Sequence, residues 1–221
     1  MKAMILAAGR GERLRPLTDR VPKPLIDVGG QPLIGHHLRA LAAAGLGEVV
    51  INVAYRAAQI QHALGDGRRY GLRITYSLEQ PGALDTGGGI ANALPLLGPA
   101  PFLVISSDVF SDIDYGALAS QRAGAEAHLV LVDNPAHHAR GDFGLRGEHV
   151  VDAAPRLTYA GVGVFAPHWF GRRSETCFPL STVLREAIEA DRAGGEHHRG
   201  RWIDVGRPRA LAAARQGLSA A

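Results

Sequence analysis

Ala3-Met4-Ile5-Leu6-Ala7-Ala8-Gly9-Arg10-Gly11-Glu12-Arg13-Leu14-Arg15-Pro16 is the stretch that decides how this chain folds. A short apolar run breaks directly into a loop holding two glycines, the pattern of a buried strand that ends in a turn whose backbone can come close to a ligand. Arg10, Arg13, Arg15 and Lys23 gather positive charge in and just after that loop. Freed amides and cations together suit a polyphosphate. The two common phosphate fingerprints are nevertheless absent. Leu14 stands where G-x-G-x-x-G needs its third glycine, and no G-x-x-x-x-G-K-[ST] occurs in the chain.

Outward from this strand, β-branched runs at 49–53, 74–76 and 102–105 alternate with helical patterns at 36–44, 57–64 and 90–97. That alternation predicts an α/β fold: a single Rossmann-like domain over 1–221, with a mostly parallel mixed sheet and helices on both faces. A further strand at 128–132 precedes a stretch, 135–155, where turn signals replace periodicity, read as an inserted hairpin or lid. Beyond it the patterns predict strands at 157–165 and 198–205 and helices at 181–192 and 207–216. In such a sheet ligands bind outside the carboxyl ends of the strands, so the loops after Ala7, Glu79, Ile105 and Val132 are the candidate site.

Composition agrees with a chain that buries a full core. Its 221 residues are 46% hydrophobic and 20% charged, which excludes disordered and fibrous classes. The formal charge of +3 is spread without a basic run, so nucleic acid is not the expected partner. Cys177 stands alone and cannot form an internal disulfide, and the apolar start is too short for a signal peptide or membrane span. A reducing cytoplasm is the expected compartment. The ten histidines show no H-E-x-x-H pattern, so zinc is not expected.

The longer run, Leu6 to Thr18 followed by Pro22-Lys23-Pro24-Leu25 and Gln31-Pro32-Leu33-Ile34, closely resembles the signature of the sugar-1-phosphate nucleotidyltransferases. The likeness extends to Leu84-Asp85-Thr86-Gly87-Gly88-Gly89, to Asp108 after a buried strand, and to Trp202-Ile203-Asp204-Val205-Gly206. Within that family the short length, Val130-Leu131-Val132-Asp133-Asn134-Pro135 and Gly141-Asp142-Phe143 are most similar to the uridylyltransferases that act on N-acetylmuramate 1-phosphate in cell-wall recycling. Mannose-1-phosphate guanylyltransferases share a similar core and are the alternative. A second alternative is an inactive nucleotide-sugar-binding subunit, because Ser106-Ser107 replaces the residues that usually precede Asp108 in the family.

The resemblance implies that a sugar 1-phosphate attacks the α-phosphorus of a nucleoside triphosphate and expels pyrophosphate. Two anions must then be forced together, so positioning and charge neutralisation carry the rate. Arg13 and Lys23 match the catalytic positions, with Ala8, Gly9, Gly11 and Glu12 around the phosphates. Asp108 and Asp204 match the pair that would hold Mg²⁺, an ion that takes oxygen ligands from one or two carboxylates and fills the rest with water and phosphate. Taken alone, Asp108 could equally cap a helix, and Asp112 and Asp114 read as caps or turn residues. Base recognition falls to Glu79, Gln80 and the backbone of Gly87 and Gly88. Ser106, Asp142 and Glu148 are the sugar candidates, with a turn-stabilising role as the alternative for Asp142. The sugar-phosphate lysine of many relatives has no counterpart, since no lysine follows Lys23; Arg140 is one candidate replacement.

Overall fold

The computed structural model describes residues 1–221 except Pro81, Ala123, Arg172, Ala220 and Ala221. In chain order the strands are β1 (Ala3–Leu6), β2 (Asp27–Val28), β3 (Gln31–Pro32), β4 (Glu48–Val53), β5 (Arg73–Leu78), β6 (Phe102–Ser106) and β7 (Val109–Ser111). They continue with β8 (Ala127–Val132), β9 (Phe143–Arg146), β10 (His149–Val151), β11 (Arg156–Phe165), β12 (Ala193–His197) and β13 (Trp202–Asp204). The helices are α1 (Leu33–Ala43), α2 (Ala57–Leu64), α3 (Asp85–Leu97), α4 (Tyr115–Gln121), α5 (Leu180–Glu189) and α6 (Pro208–Ser219).

Nine strands form one mixed sheet in the order β5-β4-β1-β6-β11-β8-β12-β10-β9. The half that carries the glycine loop is parallel, β5 through β6, as the alternating pattern predicts. From β6 onward pairing is antiparallel except for β8 with β12. Strand alternation sends Ala3 and Ile5 of β1 to one face and Met4 to the other. On the first face Leu38, Ile60 and Leu118 bring in α1, α2 and α4; on the second Ile90 and Val183 bring in α3 and α5. Helices therefore cover both faces.

Two expectations change. The insertion at 135–155 does form a hairpin, but β9 and β10 pair with β11 and β12 and extend the main sheet. Its backbone hydrogen bonds are satisfied there, so it is a fixed wall of the cleft and no hinged lid. Of the strand expected at 198–205 only Trp202–Asp204 is strand, as β13; a strand that was not expected, β12, precedes it and belongs to a different sheet. Gly194 and Gly195 read as a turn in isolation, yet β12 is imposed by parallel pairing with β8 from Ala193↔Ala127 to His197↔Leu131. In β12, Gly195 also has to be small, because a Cβ there would sit 2.5 Å from the Val150 side chain.

A third, smaller cluster closes the molecule on its own beginning. Leu14 after the glycine loop, Ile26, Val28 and Leu33 pack with Phe110, Val205 and with Leu211 and Ala214 of α6. Asp114 caps α4 by accepting from the Ala117 amide at 2.9 Å, the role expected of it.

His37 on α1 is buried, with Nδ1 2.8 Å from the Tyr115 hydroxyl. Burial pushes its pKa down to about 4 from 6.5. A neutral imidazole is thus favoured by folding, and protons bind more tightly to the unfolded chain. The contribution is full above pH 6.5 and is lost as pH falls toward 4, up to about 3 kcal/mol. Denaturant unfolding at pH 7.5 and 4.5 should show a smaller pH difference for His37→Gln than for the parent. Equal differences would show that His37 does not carry this part of the acid sensitivity.

Candidate active site

Parallel register sets three strand ends side by side: Leu6 of β1 pairs with Asn52 of β4 and with Ser106 of β6. Above them lies a cleft of two adjoining compartments, of about 620 and 630 Å³, which share Leu6, Arg13, Thr86, Ser106 and Asp108 on their walls. The compartment nearer the glycine loop is lined by Ala8, Gly9, Gly11, Glu12, Lys23 and Glu79. The other is lined by Asp142, Tyr159, Trp202 and Asp204.

The glycine loop is shaped by Gly11 at φ 71°, where a Cβ would also press on Thr18 at 3.0 Å and Lys23 at 3.2 Å. Its carbonyl accepts from the Leu14 amide and the Thr18 hydroxyl, each at 3.0 Å. Charge in the loop divides by partner. Arg10 pairs with Glu12 at 3.1 Å and Arg15 with Asp19 at 3.0 Å on the surface. Arg13 has no ion-pair partner among the described residues and faces both compartments. Glu12 lines the compartment as an exposed side chain committed to Arg10.

Lys23, held between Pro22 and Pro24, is buried, and its Nζ lies 2.6 Å from Asp108 Oδ2. The antiparallel pair β7–β13 then carries the second acid to the first: Asp204 registers with Val109, and the Val205 amide donates to the Asp108 carbonyl at 2.8 Å. Asp108 is therefore no helix cap. Both carboxylates face the cleft beside Arg13. Gly206 lets Asp204 and Arg13 converge, for a Cβ there would lie 2.7 Å from Asp204 Oδ1 and 2.9 Å from Arg13 Nη2. His137 Nε2 stands 3.4 Å from Asp204 Oδ2. No group of three or more His, Cys, Asp or Glu among the described residues forms a complete protein cage. Two carboxylates open to a cleft are the donor set that suits a hard cation completing its shell with phosphate and water.

Glu79 is buried at the end of β5 and both its oxygens are engaged. Oε1 accepts from Asn52 Nδ2 at 2.6 Å and Oε2 from the Leu84 amide at 2.8 Å. Asn52 Oδ1 in turn accepts from the Ala7 amide at 2.8 Å. The glycine loop, β4 and the loop before α3 are thereby tied together. Asn52 is a site residue that sequence reasoning missed; its signal is a lone polar residue inside the apolar run 49–53. Gln80 is exposed and is not on the cleft wall.

The amides of Gly87 and Gly88, expected to read the base, instead donate to the Phe178 carbonyl at 2.9 and 3.0 Å. Their smallness serves packing, since a Cβ would meet the Phe178 ring at 2.5 Å or the Thr176 carbonyl at 2.2 Å. Thr86 and Ala83 supply that part of the wall.

In the second compartment Ser106 is on the wall. Asp142 is on the wall too, but its oxygens fasten the fold: Oδ1 is 2.9 Å from His138 Nε2 and Oδ2 accepts from the Tyr159 amide at 2.8 Å. Glu148 is a correction. It sits at the exposed turn between β9 and β10, beside Arg122 at 3.4 Å, outside the cleft, because the hairpin joins the far edge of the sheet. Arg140 is exposed and off the wall, which is lined instead by Arg156, Arg185 and Arg207.

Residues 2–147 match the family model described as nucleotidyl transferase. The chain is 51% identical over 216 residues to an N-acetylmuramate alpha-1-phosphate uridylyltransferase of Neisseria meningitidis serogroup B, covering 93% of each chain. It is 35% identical to the protein of that name from Caulobacter vibrioides, covering 99% of this chain and 97% of that one. A mannose-1-phosphate guanyltransferase of Aspergillus fumigatus is 33% identical, with 95% of this chain matching 62% of that protein. Among solved structures, HddC from Yersinia pseudotuberculosis complexed with GMP-PN superimposes with a TM-score of 0.84 at 20% identity over 98% of both chains, a likeness of fold. With the glycine loop, the paired aspartates and these matches in agreement, the chain belongs to the nucleotidyl transferase family, among its sugar-1-phosphate enzymes.

Proposed function

We propose that the protein transfers the uridylyl group of UTP to N-acetylmuramate 1-phosphate, forming the UDP-sugar and pyrophosphate, as a cytoplasmic enzyme that recovers a cell-wall sugar. The observation that carries this reading is the pair of adjoining compartments whose common wall holds Arg13 and Asp108. One compartment takes the triphosphate on the glycine loop and the other takes the sugar phosphate. A phosphate oxygen of the sugar then attacks the α-phosphorus across that wall, and the bond to the pyrophosphate oxygen breaks.

Arg13 and Lys23 neutralise charge on the oxygens of the phosphorus under attack, an effect that grows as the two anions close. Asp108 and Asp204 hold Mg²⁺, which when bound screens the two phosphates from one another. Glu79 and Asn52 act through the backbone: they fix the glycine loop against the loop before α3, so the base-side wall is rigid before substrate arrives. The choice of uracil and of the muramate rests on the two uridylyltransferases that match nearly the whole chain. No helix among the described residues is long and apolar enough to cross a membrane.

Initial rates of pyrophosphate release with UTP and GTP, each against the 1-phosphates of N-acetylmuramate, N-acetylglucosamine, glucose and mannose, test the reading. UTP with N-acetylmuramate 1-phosphate should give the highest kcat/KM. A preference for GTP with mannose 1-phosphate would replace it by the guanylyltransferase reading, and no release with any pair would favour an inactive binding subunit.

A further inference from the structure

The second compartment is lined by four arginines, Arg13, Arg156, Arg185 and Arg207. Its acids are all engaged: Asp108 by Lys23, Asp142 by His138 and the Tyr159 amide, Asp204 by His137. Of its arginines, Arg13 stands at the boundary with the triphosphate compartment, and Arg156 is held by Asp152 at 2.6 Å and by the Asp142 carbonyl. Arg185 and Arg207 remain, neither with an ion-pair or hydrogen-bond partner among the described residues. Arg207 follows Gly206 at the aspartate end of the cleft.

Arg185 is placed differently. On α5, Leu180, Val183, Leu184 and Ala187 fill the buried face, and Ser181 and Arg185 lie one turn apart on the flank that lines the cleft. Residues four apart on a helix are neighbours, so the exposed side chains of Ser181 and Arg185 share that flank. The start of α5 is moored by the Leu180 amide donating to Thr86 Oγ1 at 2.8 Å, so this flank is fixed relative to both compartments. Glu186 on the same helix pairs with Arg173, and Glu189, four residues after Arg185, makes no ion pair with it.

We infer that Arg185, with Ser181 on the same flank of α5, recognises a carboxylate carried by the sugar ring and thereby selects an acidic amino sugar over its neutral counterpart. This rests on the proposed uridylyltransferase reading and names the group behind its sugar choice. A guanidinium takes a carboxylate through two parallel N–H···O bonds, a geometry that neither a hydroxyl nor an acetamido group reproduces. N-acetylmuramate differs from N-acetylglucosamine by a lactyl ether that ends in such a carboxylate, so the two sugars isolate this one interaction.

The experiment measures kcat/KM for the two sugar 1-phosphates with UTP, in the parent, Arg185→Met and Arg185→Lys, with the Kd of UDP-N-acetylmuramate and UDP-N-acetylglucosamine as a readout that needs no turnover. In Arg185→Met the preference for the muramate should fall about 10- to 100-fold in both readouts, the size of a lost charge-assisted hydrogen-bonded pair, with the neutral sugar changed less than about threefold. Arg185→Lys should keep part of the preference, as a charge without the fork. Equal losses for both sugars, or an unchanged preference, overturn the assignment while the parent's own preference leaves the uridylyltransferase reading standing. A parent that neither turns over the muramate nor binds its UDP form overturns both.

Discussion

Lys23→Ala should lower turnover by about 10²- to 10³-fold while the protein stays folded, the scale seen when a charge aimed at a transition state is removed. Only this chain position offers a compact ammonium at the cleft: Lys2 is the one other lysine, and it pairs with Glu48. Lys23 Nζ lies 2.6 Å from Asp108, whose side chain is 33% exposed. Losing the lysine therefore leaves a carboxylate that water still reaches, and stability should fall by only about 1–2 kcal/mol. Lys23→Arg should restore little, because Gly11 lies close against the stem and a planar fork does not fit where a point charge sits. Single-turnover rates with saturating UTP, alongside thermal unfolding, read both effects. A Lys23→Ala variant that turns over like the parent would move the charge role to Arg13.

Asp204→Asn should cost about 10²-fold or more in turnover and raise the magnesium concentration needed for half-maximal rate. The replacement keeps the shape of a β13 residue whose side chain is 18% exposed, so the β7–β13 pairing should survive. Asp108→Asn should do the same to the rate. It should also cost more stability, since it leaves the buried Lys23 ammonium without its counter-charge. The check is initial rate against magnesium concentration for each variant, with circular dichroism as the control for fold. Unchanged magnesium dependence in both would remove this pair from the metal site.

Most of the phosphate side was legible in the sequence because its chemistry is local. Gly11, Arg13 and Lys23 fall within one loop system, and the turn that the glycines permit brings them together without help from distant strands. Asp108 and Asp204 were legible only through the resemblance, for nothing in their spacing says that β7 and β13 pair. Charge bookkeeping failed where orientation decides. Glu148 and Arg140 look like polar wall residues in one dimension, yet the edge position of the β9–β10 hairpin turns Glu148 away. The resemblance assigns the backbone of Gly87 and Gly88 to the base. In the folded chain they are small so that Phe178 and Thr176 can close on them, a contact between segments 90 residues apart that no local pattern encodes. Asn52 and Arg185 were passed over for the same reason: each is ordinary within its own element and acquires meaning from a neighbour.

The cluster that joins Leu14 and Ile26 to Val205, Leu211 and Ala214 sets a schedule for the newborn chain. Arg13 and Lys23 leave the ribosome early, but the acid that completes the pair, Asp204, is encoded near the other end, and the central strand β11 comes between. No product of translation that stops short of Asp204 holds both carboxylates, so a growing chain cannot begin to spend UTP before β13 has been made. The same long-range closure raises contact order and slows folding relative to a helical protein of this size.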